Sequence, residues 1–397
     1  MEGNTLKISK LTAGIIFILF VVLFFPRFSA AQKPIKIGMI NDFTGSYAAM
    51  GQQMKWAVEM AIEEVNAKGG VLGRKLEVVT EDDQNNPAVS SAKAEKLILQ
   101  DGVDFLFAST ASHCTLSDMK VTEKHKKVMI AHVSESAKIT GDECSRYTFR
   151  VAANMALEAN TLIDWVVKSM GKKIYLLGAD YAFGRSASEE YRKVIDRLGG
   201  KVVGESFFPL NNKDFAPYFG KIKAAKPDVL IITAAGNDAI SVVAQLNQYG
   251  LTKLMKVAGV GSLTASDVLP AHGANADGIV TADRYSSEIP TPENKAFVEK
   301  YRRLYKEVPS KFVSGTYESV LWLAQAVDKA KSTDSEAVIK ALENSTFNGP
   351  QGPKKMRAGD HQAVMNMYLL KCEGGKHVIV DYRKGEEVIH PNMCNKW

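Results

Sequence analysis

From Lys33 onward, short apolar and β-branched runs alternate with longer stretches whose apolar positions recur every three or four residues. Ile35–Ile40 is the first short run, and a polar turn at 42–46 follows it. Beyond the turn, Met54, Val58, Ala61, Ile62 and Val65 fall on one helical face, and Gly69-Gly70 closes the helix. The spacing next predicts strand Lys75–Thr80, a turn with Pro87, helix Val89–Gln100, strand Val103–Ala108, a helix starting near Ser112 and strand Val128–His132. The rhythm restarts after Val151. Helix Leu157–Ser169 precedes strand Lys173–Gly178, helix Ser186–Leu198 and strand Lys201–Phe207. Helix Phe215–Ala225, strand Val229–Thr233, helix Asp238–Tyr249 and strand Lys256–Gly259 complete the block. Two successive blocks of βα units predict an α/β protein with two doubly wound parallel-sheet lobes. Ala363–Lys371 and His377–Tyr382 alternate without a helix between them, and predict antiparallel strands added to a sheet edge. There is no solenoid-length repeat and no low-complexity linker.

The N-terminus departs from this rhythm. Lys7 and Lys10 precede the apolar run Leu11–Phe25, Pro26 breaks it, and Ser29-Ala30-Ala31 supplies small residues. That order predicts a secretory signal peptide over 1–31, cut after Ala31, and a periplasmic mature chain. The run of 15 residues is shorter than the roughly 20 a membrane span needs. The first cysteine is Cys114, so a lipid anchor at the cleavage site lacks its thiol. Loss of residues 1–31 takes away three cations and one anion, lowering the formal charge from +6 to +4. So mild a charge gives no reason to expect nucleic acid as a partner. Four cysteines in an exported chain read as two disulfides. Local pairing puts them at Cys114/Cys144 and Cys372/Cys394, each closing a loop of about 20–30 residues.

Catalytic signatures are missing. The sequence has no G-x-S-x-G elbow, no Walker A motif, and no G-x-G-x-x-G in the first βα turn. Gly259-Val260-Gly261 lacks a third glycine, and the cysteines are too scattered for a metal site. No cofactor, no metal and no enzymatic activity are expected. His113 and His132 each follow a strand, at the sheet edge where open α/β folds bind ligands. Either could touch a ligand, and the plainer reading is a loop or helix-start histidine.

Ordered motifs carry a family resemblance. Gly38–Gly51 (GMINDFTGSYAAMG), Asn66–Leu76 (NAKGGVLGRKL), Tyr147-Thr148-Phe149-Arg150, Asp180-Tyr181-Ala182-Phe183-Gly184 and Asp360-His361-Gln362 resemble the leucine/isoleucine/valine-binding-protein family. The resemblance spans essentially all of the mature chain. It implies a type I periplasmic-binding fold that passes a small molecule to the permease of an ABC importer, acting as a monomer. It also implies three hinge crossovers, near Val151–Asn154, Thr281–Asp283 and Phe347–Pro350. Lobe 1 is then 33–152 plus 283–347, and lobe 2 is 153–282 plus 348–397.

Carried over residue by residue, Ser112 matches the family serine that holds a ligand carboxylate at a helix start, where free N–H groups and the helix dipole favour an anion. The rival role for Ser112 is a plain N-cap. Val133 and Glu135, with Ser134 between them, fall where the family grips an amino group; Glu135 stands in place of threonine. That carboxylate either pairs with an ammonium group or points to solvent. Phe183 matches an aromatic cover, Asp180 and Tyr181 flank it, and Gly236 follows a strand at the next sheet edge. Gly261 stands where amino-acid binders carry an acid that neutralises the ligand ammonium. Tyr47 and Phe312, with Phe43, Met50 and Tyr285, suggest an apolar ligand body. A hydrophobic amino acid, an aromatic carboxylate and a small amide all fit this set. A sensory subunit for a membrane receptor would share the fold, and an exported enzyme using Glu135 would have to lose turnover in Glu135→Gln.

Overall fold

The computed structural model describes residues 1–2 and 32–396. The expected signal peptide, with Lys7, Lys10 and the Ala31 cleavage point, lies outside the described residues. The first block folds as β1 (Ile35–Asn41), α1 (Ala48–Ala67), β2 (Leu76–Asp82), α2 (Pro87–Leu99), β3 (Phe105–Phe107), α3 (Ser112–His125), β4 (Met129–Ala131) and β5 (Thr148–Arg150). Its strands form an all-parallel sheet in the order β2-β1-β3-β4-β5. Side chains alternate between two faces, as a pleated strand requires. Ile37, Met39, Phe105, Phe107 and Ile130 pack in one core; Ile40, Leu106, Met129 and Ala131 pack in another on the opposite face. Each such fully buried side chain contributes about 1.5–3 kcal/mol.

The second block runs through α4 (Met155–Trp165), which continues as a π-helical turn at Val166–Met170, and then β6 (Lys173–Ala179), α5 (Ala182–Arg197) and β7 (Lys201–Phe208). It continues with α6 (Ala216–Ala225), β8 (Val229–Thr233), α7 (Gly236–Gln248), β9 (Lys256–Val260), the short α8 (Leu269–His272) and β10 (Val280–Asp283). After β10 the chain adds α9 (Pro292–Tyr305), α10 (Lys311–Ala330) and α11 (Ser335–Leu342), whose buried residues join the core of the first sheet. Local chemistry starts these helices: Asn86, Asn154, Thr291, Ser310 and Asp334 each accept a backbone N–H as N-caps, and Pro87 and Pro292 occupy N1.

The final stretch comprises β11 (Thr346–Gly349), β12 (Gly352–Met356), β13 (Ala363–Met365), β14 (Met367–Glu373), β15 (Lys376–Arg383) and α12 (Gly385–Val388). The second sheet has the order β15-β14-β10-β9-β8-β6-β7. Its β10-to-β7 part is parallel, and β14 and β15 extend the edge antiparallel. The run expected as one strand, Ala363–Lys371, is divided: β13 pairs with β12 in a separate three-stranded sheet, and β14 joins the large sheet. Among the described residues, no helix is long and apolar enough to cross a membrane.

The disulfide expectation is corrected. Cys144 is bonded to Cys394, 250 residues away, while Cys114 and Cys372 are free and buried. Cys114 faces the core of the first sheet from α3, and Cys372 faces the core of the second sheet from β14. Both thiols are packed as small apolar groups, so sequence proximity gave the wrong partners.

Candidate ligand-binding cleft

The C-terminal ends of the two sheets meet at one small crevice. From the first-sheet side come Tyr47, Met50, Thr110, Ser112, Val133, Ser134, Glu135 and Phe312; from the second come Tyr181, Phe183, Ala235 and Ser262. Its interior amounts to about 20 Å³, enough for one water. The opposing walls touch directly. The Tyr47 and Tyr181 hydroxyls are 2.9 Å apart, Ser46 Oγ donates to Asn211, and the Ala137 N–H donates to Ser186 Oγ at 2.9 Å. The His113 ring meets the Tyr181 ring edge-on, with centroids 5.1 Å apart. This is a closed cleft. A much larger groove, about 790 Å³, lies between the 137–142 loop, α5 and the C-terminal tail, lined by mixed charges. Both sheet edges and a helix N-terminus converge on the small crevice, which makes it the candidate ligand site.

That helix is α3. Its N-cap is Ala111, which has no side chain able to cap, and Ser112 is the first helical residue. The N-cap role considered for Ser112 is therefore not its role. Its Oγ accepts the Ser136 N–H at 3.2 Å and its side chain faces the crevice. Of the other expected residues, Tyr47, Val133, Ser134, Glu135, Tyr181, Phe183 and Phe312 line the same space. Asp180 does not: it is exposed and pairs with Arg185 at 2.6 Å. Gly236 sits just behind Ala235, at φ +54°, with Ser46 O and the Tyr47 ring where a Cβ would stand. His132 is a structural tie, its ring between Thr316 Oγ1 at 2.8 Å and Ala108 O at 3.0 Å. Burial keeps that imidazole neutral, pulling its pKa down to about 3.

Glu135 neither points to solvent nor waits for a ligand. It is 3% exposed, and the guanidinium of Arg284 and the ammonium of Lys311 both bind it, the latter at 2.8 and 3.2 Å. Burial opposes its ionisation, but the Lys311 and Arg284 charges outweigh that and hold the carboxyl below its usual range. Lys311 also lies 3.5 Å from Glu158 on α4 and 3.9 Å from Asp283 at the end of β10. All five side chains are essentially excluded from water. Burial raises the Glu158 carboxyl, and so does the Glu135 charge. Burial likewise pushes Asp283 up to about 6, against the pull of Lys311 and Arg284. Gly261 belongs to this cluster: its N–H approaches Glu158 Oε2 at 3.4 Å, and the Asp283 carboxylate occupies the space a Cβ on Gly261 would need. Position 261 therefore lacks a side chain because an acid from β10 already stands there.

Sequence reasoning missed Lys311, Arg284, Glu158 and Asp283. A signal was present. Asp283 and Arg284 come directly after the β-branched and small run Ile279-Val280-Thr281-Ala282, and Lys311 precedes the small and apolar run Phe312-Val313-Ser314-Gly315-Thr316. An ionisable residue so placed needs charged partners.

The fold matches known proteins. Residues 34–376 match the family model described as periplasmic binding protein. The leucine-, isoleucine-, valine-, threonine-, and alanine-binding protein of Pseudomonas aeruginosa is 26% identical over 354 residues, covering 89% of this chain and 92% of that one. A periplasmic binding protein from Burkholderia mallei superposes with a TM-score of 0.85 at 28% identity, over 92% of this chain and 99% of that one. A solute binding protein of an ABC transporter from Rhodopseudomonas palustris BisB5, in complex with 3,4-dihydroxy benzoic acid, gives 0.84 at 28% identity, over 90% and 99%.

Proposed function

We infer the function from one premise, that this chain belongs to the periplasmic binding protein family: it is the extracytoplasmic solute-binding component of an ABC importer. The observation that carries the reading is the closed crevice, walled by both sheets and headed by the uncapped N-terminus of α3. The ligand we propose is a small molecule with a carboxylate at Ser112 and an apolar body against Tyr47, Tyr181, Phe183 and Phe312. The Pseudomonas relative is named for amino acids and the Rhodopseudomonas neighbour holds an aromatic acid. Both ligand types carry a carboxylate, which supports that part of the reading.

A ligand that also carries an ammonium group finds both oxygens of Glu135 already taken, which leaves Asp283, beside Gly261, as the acid for it to approach. Closure follows from the ligand's greater affinity for the closed form, in which it touches both walls. We propose hinges at Val151–Asn154, Thr281–Asp283 and Phe347–Pro350, dividing the chain into 33–152 plus 283–347 and 153–282 plus 348–397. The protein acts as a periplasmic monomer after removal of residues 1–31, delivers its ligand to a membrane permease, and catalyses no reaction.

The test is a thermal-shift panel on mature protein that has been unfolded and refolded to strip co-purified ligand. Leucine, valine and phenylalanine are set beside benzoate-type acids and short amides. Ligand at 100 times its dissociation constant adds about 2.7 kcal/mol of stability, a readily measured shift. A shift that Ser112→Ala reduces supports the reading; no shift with any carboxylate in the panel overturns it.

A further inference from the structure

The disulfide and the tail that carries it have a mechanical role that the cleft does not account for. The tail leaves the second sheet at the end of β15 and is last held to that lobe at Val388, whose carbonyl accepts from Asn160 Nδ2 on α4 at 2.8 Å. Two residues later the ring of His390 meets Asn154 Nδ2 at 2.6 Å, at the first crossover. Arg357 donates to the His390 carbonyl at 2.7 Å, and Asn392 Nδ2 donates to the Gly359 carbonyl at 3.0 Å. The 357–362 segment, beyond the third proposed crossover, is held against the edge of the first sheet: Arg150 of β5 bridges Gln362, donates its N–H to the His361 carbonyl, and Phe149 stacks on the His361 ring. Cys394 then bonds to Cys144, in the loop between β4 and β5 of the first sheet. The seven residues Val388 to Cys394, six steps along the chain, thus pass from one lobe to the other and end in a covalent bond. An extended chain of that length reaches at most about 20 Å.

We propose that this tail is a strap: a fourth connection between the lobes, closed by the Cys144–Cys394 bond, that limits how far the cleft opens. The groove of about 790 Å³ lies directly beneath it, between the strap, α5 and the loop that begins at Ala137. That loop makes the cross-cleft bond from Ala137 N–H to Ser186 Oγ at the near end of α5. Opening must break this bond and widen the groove, and the strap spans the groove. A limited opening keeps the ligand-free protein near the binding-competent form, and apparent affinity scales with the competent fraction.

The inference rests on the reading of hinge closure above, and the experiment separates the two. Small-angle scattering is recorded on ligand-free protein as wild type, wild type with reductant, Cys394→Ser and Cys144→Ser. Breaking the strap should enlarge the ligand-free radius of gyration equally in all three broken forms. Saturating ligand from the panel should return each to the wild-type bound value, with the dissociation constant raised by about threefold or more. An unchanged ligand-free radius in every broken form overturns the strap, whatever the ligand does. A larger ligand-free radius with no compaction by any panel compound upholds the strap and counts against the binding reading instead. Where a panel compound does compact the wild type, a broken form that stays larger with the same compound bound has merely frayed its tail, and that outcome overturns the strap.

Discussion

Asp42, the residue after β1, is fully buried beside the equally buried Asp83. Burial, then the hydrogen bond and charge of Asp83, push the Asp42 carboxyl up to about 9 from an ordinary 3.8. A proton kept on Asp42 lets it donate to Asp83 instead of repelling it. The folded protein keeps that proton and the unfolded chain sheds it, so this contribution to stability is full below about pH 4 and is lost as pH rises toward 9. In that window it makes stability fall by about 1.4 kcal/mol per pH unit. Asp42→Asn should flatten the slope and raise stability above pH 7, as read by urea unfolding from pH 5 to 9. Lys311→Met should act the other way, costing about 3–5 kcal/mol at pH 7 by stranding the buried Glu135 and Asp283 carboxylates, with part of the loss recovered as acid neutralises Asp283. At this scale the sequence was a partial guide. The family pattern pointed at Ser112, Phe183 and the gap at Gly261. It was silent on the acid that fills the gap, because Asp283 reaches Gly261 only through the pairing of β9 with β10.

Among the elements, periodicity served best where one face of a helix or both faces of a strand are buried. The α1 stripe and the two-faced β1, β3 and β4 are such cases. It failed where tertiary pairing cuts an alternating run, as between β13 and β14 at Asn366. Helix α7 offers a test of the cleft geometry. Its first residue, Gly236, has a positive φ, and the Ser46 carbonyl and Tyr47 ring of the opposite wall fill the space a Cβ would need. Gly236→Ala costs about 1 kcal/mol in backbone strain wherever the lobes stand. Closure adds a clash, so ligand affinity should drop about tenfold or more while the melting temperature moves only a little. Calorimetric titration beside a melting curve distinguishes the two effects. Equal affinity in the variant means that the two walls do not approach this closely when ligand is bound.

For the molecule as a whole, two lobes follow from the alternation of strands and helices and the cleft between them from the family resemblance, but the covalent tie follows from neither. Spacing along the chain favours nearby cysteines, whereas the folded protein pairs two that are 250 residues apart. Chain-entropy arguments assign a loop of that size about 5 kcal/mol, and the cost falls on the order of events in folding. A chain crossing a membrane from its N-terminus presents Cys114 and Cys144 to an oxidant long before Cys394 arrives. A bond between the early pair must then be exchanged, or forestalled by the burial of Cys114 beneath α3. Oxidative refolding from the reduced, denatured chain should therefore pass through a trapped 114–144 species, visible by thiol alkylation and mass spectrometry, and Cys114→Ser should reach the native bond faster. The same bond that restrains the finished hinge makes assembly depend on a thiol that never joins it.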